Sequence, residues 1–440
     1  MELRLKRALK FNRLLAVTMG TPLASSAFLS MILMVGVAGN MVNLVLSVII
    51  GTAITVLAAL TYGELVSIYP SAAGNRIFLK KPLGDTIAIA MSLMWVFVIL
   101  AAAGVESYVL GNVLYYLTGF MNPFLWSVLA LVIIVLVNIM GVELSGNFQT
   151  IVTYSVVIVL VLVSIFALIT PAKNAVSMGP FDPVATLTAT AIGVYLFLGF
   201  GRVTTLGEEA VDYERSIPRA LPLAVFLLGI VFVLVSMAIF RDVPYASLQN
   251  TAIPQILLGQ YLIPNRSLAI LIAIVSVVMS FSAFNAGILG TSRLVYALGR
   301  EGLLPRFFGV IERRHFTPYL ALVFLLIVVL TFLALVYETG NYAVPLYVAA
   351  GFDSFMYAAV AYSAFWHLRK LKAEEIPFRV FAGKFLFPLT TVIFFSLGIL
   401  LLLSVSVVVT LVTVISMFLI LFYIMGRRMY LSRSGSDRPS

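Results

Sequence analysis

A window of about 20 residues, the length of helix that crosses the hydrocarbon core of a bilayer, finds about twelve predominantly apolar stretches along this chain. They centre near Met31, Leu57, Leu100, Val132, Val159, Phe197, Val231, Met279, Leu330, Met356, Gly398 and Met417. Lipid cannot hydrogen-bond a peptide group, so runs of this length must satisfy their own backbone as helices. The expected class is therefore an all-α, multi-pass integral membrane protein. Composition agrees, with 62% hydrophobic and 10% charged residues, where soluble domains carry about half and about a quarter. The uncharged run from Phe385 to Met425 would be about 60 Å long as one helix, roughly twice the hydrocarbon thickness. It must turn, and Ser404 to Ser406 is the expected place.

The spans divide the chain into an N-terminal segment (1–13), spans one to five (14–169), spans six to ten (184–368), spans eleven and twelve (385–425) and a tail (426–440). The net charge is +10, and its placement decides what it means. With both termini cytoplasmic, about 24 of the 28 basic residues fall on the inner side, as the positive-inside rule requires. Lys173, Arg241 and Arg266 fall outside, and Arg202 lies at membrane depth. The basic excess is thus a topology signal for a cell-membrane protein in contact with lipid, and no nucleic-acid partner is expected. The basic start and Ala24-Ser25-Ser26-Ala27 imitate a signal peptide. Cleavage there would leave an odd number of spans and a basic C-terminus on the wrong side, so the span is expected to be retained. There is no cysteine, which excludes disulfides and thiolate chemistry.

Two spans are interrupted. Met19-Gly20-Thr21-Pro22-Leu23-Ala24-Ser25-Ser26 breaks the first, because proline removes a backbone hydrogen bond and clashes with the preceding turn; a packing kink is the competing reading. In the sixth, Tyr195 to Ala220 carries Gly199, Gly201 and Gly207, then Arg202 and the adjacent Glu208 and Glu209. The interruptions lie about 177 residues apart, and two long spans, starting near Asp85 and Ser267, lie about 182 apart. A matched offset of this kind points to inverted repeats, with five spans in each copy, whose broken helices meet at the midplane.

A half-helix that starts in mid-membrane presents free N–H groups to an anion. The half that ends there presents carbonyls to an ammonium or to sodium. An α-amino acid carries both charges on one carbon, and small residues let it approach the backbone. Gly20, Ala24, Ser25 and Ser26 on the first span and Gly199 and Gly201 on the sixth are the candidate cradle, with Tyr195, Phe197 and Phe200 as pocket aromatics or core packing.

Intramembrane carboxylates are functional candidates. Glu64 would pair with an arginine at an inner gate or touch substrate. Glu106 would act directly or pair with Arg202. With Arg202, Glu208, Asp353 and Asn285 these form the gating or coupling set. Ser280 and Ser282 could offer hydroxyls to sodium, or simply pack helices.

Glu64-Leu65 through Pro70-Ser71-Ala72-Ala73-Gly74, Gly199-Phe200 through Glu208-Glu209 to Ile217-Pro218-Arg219-Ala220, and Ser292-Arg293 through Tyr296-Ala297 to Arg300-Glu301-Gly302-Leu303-Leu304-Pro305 resemble three signature regions of the amino acid, polyamine and organocation (APC) superfamily, in the expected order. The resemblance covers about spans one to ten. It implies a LeuT-like fold with 5+5 inverted repeats, broken helices 1 and 6, and alternating access by rocking of a bundle against a scaffold. It also marks departures. Relatives usually read Gly-x-Gly where this chain has Ala24-Ser25-Ser26. Some proton-coupled relatives place a lysine in span five where Val156 stands, so that device is absent. Arg202 occupies a part of span six that relatives leave uncharged or acidic. It would pair with Glu106 or Asp353, contact an acidic side chain of the substrate, or stand in for a cation.

The expected function is secondary active transport of amino acids or related amines, with a proton or sodium as possible coupling ion, or exchange. A membrane sensor with a transporter fold is the alternative. No cofactor or metal is expected, and an enzyme is disfavoured, because His315 and His367 form no zinc pattern and Gly-x-Ser-x-Gly is lacking. A channel would favour a symmetric filter.

Overall fold

The computed structural model describes residues 5, 7–174, 177–244, 247, 260–261, 266–339, 343–404, 415, 419 and 422–426. The span centred on Met417, the turn expected at Ser404 to Ser406 and the tail fall largely or wholly outside these. The regular structure described is helical, apart from one parallel bridge between Leu9 and Ala210.

The first span is two helices, α1 (Phe11–Gly20) and α2 (Ser25–Ala38). Then follow α3 (Met41–Ile68), a short α4 (Asn75–Leu83), α5 (Asp85–Thr118), α6 (Pro123–Ile139) and α7 (Val142–Ile169). The sixth span is α8 (Pro183–Gly193) followed by two 3₁₀ turns, Val194–Phe197 and Phe200–Leu206. The chain continues through α9 (Tyr213–Asp242), α10 (Arg266–Arg300), α11 (Tyr319–Thr339), α12 (Ala343–Lys370) and α13 (Gly383–Ser404). Eight of the described segments are long and apolar enough to cross a membrane. The span expected at Val132 is the 17-residue α6. The two spans expected to be unusually long are α5 and α10, at 34 and 35 residues.

Local chemistry sets the boundaries. Asn40 caps α3 by accepting from the Asn43 amide at 2.8 Å. Asp182 caps α8 by accepting from Val184 and Ala185, with Pro183 in the first turn where no N–H is needed. Packing then sorts the helices by neighbour: α3 lies against α9 and α8, α5 against α11, α6 and α12, and α12 against α13. The α1 helix contacts α7 and α9, while α10 contacts α5, α6, α7 and the second 3₁₀ turn. The first and sixth spans are therefore held where their interruptions face each other. Between α6 and α7 only Met140 and Gly141 intervene, so the segment from Asn138 to Gln149 is almost entirely helix, with Asn138, Ser145 and Gln149 buried.

Candidate functional site

The first interruption follows from Pro22. Its ring cannot occupy a helix interior, so α1 stops at Gly20 and Thr21 turns its hydroxyl onto the Val17 carbonyl. The chain restarts at Ser25 behind Ala24, an extended residue with no side-chain cap. The first amides of α2 therefore lack the side-chain acceptor that usually fills a helix start. Ser25 and Ser26 supply the opening backbone of that turn.

The second interruption is two residues wide. Leu198 is extended, and Gly199 is left-handed with φ 86° and ψ 0°. The Gly199 amide donates to the Tyr357 phenol at 3.0 Å. A Cβ on Gly199 would lie 2.6 Å from Thr21 Cγ2 and 3.1 Å from Arg202 Cζ, so the two breaks meet at van der Waals contact here, with a guanidinium beside them.

Arg202 is half-buried. A Cβ on Gly287 would reach 2.7 Å from its Nη1, and one on Gly290 would reach 3.1 Å from its Cβ. Two glycines, three residues apart on one face of α10, thus open the groove in which the arginine lies. Among the described residues its side chain makes no hydrogen bond or ion pair, and Nε is buried without a partner. Neither expected carboxylate takes it. Glu106 accepts from Ser280 Oγ at 2.7 Å, and Asp353 Oδ1 accepts from Trp95 Nε1 at 2.5 Å. Asp353 is nonetheless close enough for its charge to act on the guanidinium.

The other sequence candidates separate. Phe200 is enclosed by Tyr62 and Tyr357 with ring centroids 5.7 and 5.1 Å away, and Phe197 packs edge-on against Phe232 at 5.3 Å. Both are core. A Cβ on Gly201 would meet the Tyr62 ring at 3.0 Å, so Gly201 backs onto the aromatic cluster and away from the break. Tyr195, Ala24 and Arg202 keep accessible surface. Glu64 is buried at the end of α3, where Oε2 accepts from the Val380 amide at 2.8 Å and fastens the segment before α13; the Arg379 charge acts on Glu64, but among the described residues no arginine makes a direct ion pair with it.

A polar network runs behind the first break and joins the candidates Ser282 and Asn285 to Gln149 and Thr153, which sequence reasoning missed. Gln149 Nε2 donates to Thr153 Oγ1 at 2.8 Å and to Ser282 Oγ at 2.7 Å. Thr153 Oγ1 reaches the Ala16 carbonyl at 3.2 Å. Asn285 donates to Gln149 Oε1 at 2.8 Å and accepts from Asn138 and Ser145, each at 2.9 Å. The Ser282 hydroxyl thus accepts from the Gln149 side-chain amide and lies 3.0 Å from the Thr153 hydroxyl. A Cβ on Gly20 would fall 1.7 Å from Gln149 Nε2, so the missing side chain is the space the amide fills. Gly20→Ala is expected to expel Gln149 and cost about 1–3 kcal/mol for each buried donor left unsatisfied, read as a lower unfolding temperature in detergent. Adding Gln149→Ala should restore part of it. An unchanged unfolding temperature in the single variant would rule out this packing.

The three signature segments converge at the end of the bundle that holds the N-terminal segment. Glu209 makes a bidentate pair with Arg293 at 2.9 and 3.0 Å, both side chains fully buried. Arg293 Nη1 also donates to Ser292 Oγ at 3.0 Å. Glu208 pairs with Arg300 at 2.9 and 3.1 Å and accepts from the Ala72 amide at 2.9 Å. Arg76 joins Asp85 and Glu301. The Ala8 and Leu9 amides donate to the Glu209 carbonyl at 3.0 Å, and Val211 returns a bond to Leu9. The signal for the buried pair was present in the sequence, since both residues stand inside the quoted motifs, but their spacing of 84 gave no reason to join them.

The model of the amino acid permease family matches residues 14–432. The human cystine/glutamate transporter is 24% identical over 349 residues, covering 74% of this chain and 67% of its own. A low-affinity putrescine importer of Escherichia coli is 25% identical over 274 residues, covering 59% and 60%. Among solved structures, a mutant manganese transporter of Eremococcus coleocola superposes with a TM-score of 0.60 at 12% identity, covering 96% of this chain and 93% of that one, which is a likeness of fold. A match across nearly the whole chain, on a multi-pass helical protein whose first and sixth spans break where they meet, makes this chain a member of the amino acid permease family, a membrane transporter and not an enzyme.

Proposed function

We propose that the protein is a secondary active transporter that moves amino acids or related amines across the plasma membrane by alternating access, with both termini cytoplasmic. About twelve spans would form two inverted repeats, 14–169 and 184–368, followed by spans eleven and twelve. The observation that carries this reading is the contact of the two breaks at Gly199 and Thr21, beside the uncapped start of α2. The α-carboxylate of a substrate would take the amides at Ser25 and Ser26. The ammonium would take carbonyls at the end of α1 and around Leu198. The relatives handle cystine, glutamate and putrescine by name, which supports both amino-acid and amine chemistry as the range to test.

The converging ion pairs at Glu208, Glu209 and Arg76 would close one end of the substrate path and re-form in each cycle. Coupling would be to a proton or sodium, or flux would be exchange. Counterflow into proteoliposomes loaded with an unlabelled amino-acid and amine panel, with and without ion gradients, tests the reading. Accumulation of labelled substrate against its loaded counterpart is expected. Binding without counterflow, in vesicles shown to be sealed, would favour a sensor.

A further inference from the structure

We propose that Arg202 determines specificity at this site and selects substrates carrying a second carboxylate, the acidic amino acids. The inference rests on the transporter reading above and deepens it.

The protein contains its own control for what a buried guanidinium requires. Arg293 is fully buried, and Nε, Nη1 and Nη2 each donate to Glu209 or Ser292. Arg202, within a transmembrane segment, donates to nothing among the described residues. A guanidinium cannot shed its charge, and it presents five N–H groups in a rigid fork. Its Nε is shut off from water without an acceptor, which is costly, while the rest of the half-buried head keeps accessible surface, so an arginine in this state is either a misfit or half of an interaction open to a ligand. The architecture argues against misfit, because Gly287 and Gly290 leave the groove it occupies and Gly199 leaves room for its head.

Position then names the partner. The head of Arg202 adjoins Gly199, and Thr21 adjoins Gly199 from the other span, so the fork stands at the junction of both breaks. There the backbone ends supply the complements of an α-carboxylate and an α-ammonium. The fork adds one further anion site, and its planar geometry suits a carboxylate held bidentately. The Asp353 charge acts on the guanidinium, but its Oδ1 is engaged by Trp95, and among the described contacts no oxygen of Asp353 pairs with the fork. A diamine would set a second ammonium against the guanidinium, so amines should be excluded.

The test is competition for counterflow by wild-type protein, using glutamate and aspartate against glutamine and asparagine, which differ only at the terminal group, and putrescine. Acidic substrates should compete about 10- to 100-fold better than their amides, the range for a charge-assisted hydrogen-bonded contact, and putrescine should not compete. Arg202→Met keeps the apolar stem in its glycine groove; the ratio of acid to amide competition should fall toward one. A purely packing role would weaken all substrates alike. Should that variant fail to fold, Arg202→Lys, which keeps the charge and loses the fork, should narrow the preference. Wild type that accepts neutral amino acids or putrescine as well as acids overturns this inference and leaves the transporter reading standing. Failure of every amino acid and amine in sealed vesicles overturns both.

Discussion

Glu209→Gln is expected to lower stability by about 3–5 kcal/mol, the cost of leaving a buried charge without its partner. The Arg293 guanidinium is fully enclosed, with its bidentate acceptor in Glu209. Glutamine offers one acceptor oxygen and turns a donor toward the cation. The neighbouring pair is the internal comparison. Glu208 and Arg300 have the same bidentate geometry, but their side chains are 24% and 39% exposed, and solvent screens them. Glu208→Gln should cost about 1 kcal/mol or less. The double change Glu209→Met with Arg293→Met should be far less harmful than either single change, because it removes both charges from an apolar surround. Unfolding temperature and monodispersity in detergent read all of these. Equal losses for Glu208→Gln and Glu209→Gln would show that burial does not set the strength of the two pairs.

The sequence makes the transmembrane architecture legible because lipid leaves few alternatives: long apolar runs become helices, and Pro22 and Gly199 interrupt them where proline and left-handed backbone must. The long α5 and α10 and the convergent motif segments follow in the same way. Side-chain pairing is less legible. Glu64 holds the Val380 amide, 316 residues away, beside Arg379, whose charge acts on it without a direct ion pair. The network around Gln149 and Ser282 joins positions 133 apart, and no periodicity along one helix encodes such a contact. In span five the polar side chains that join the network, Thr153 and Gln149, stand about one and about two turns before Val156. Arg202 could be recognised as odd, but its groove is made by Gly287 and Gly290 on another helix, and glycines in a membrane helix are common enough to carry no message until the partner is known.

Gly199→Ala should abolish transport and destabilise the protein by two separable routes. A left-handed conformation costs a side-chain-bearing residue about 1–2 kcal/mol, and Gly199 sits at φ 86°. Its new methyl would also stand 2.6 Å from Thr21 Cγ2, an overpacking that adds about 1–3 kcal/mol. The clash falls on the contact between the two breaks, so relief requires moving α1 away from the sixth span, and the proposed substrate site opens with it. Thr21→Ala added to Gly199→Ala removes Cγ2 and should recover the steric part while leaving the conformational part. The coupling energy of this double-mutant cycle then measures contact between the first and sixth spans. Gly201→Ala is the matched control. Its methyl meets the buried Tyr62 ring at 3.0 Å, so it should destabilise without coupling to Thr21. A Gly199→Ala protein with wild-type unfolding temperature and wild-type counterflow, or a cycle in which losses at 199 and 21 simply add, would separate the two breaks and remove the observation on which the transport site rests.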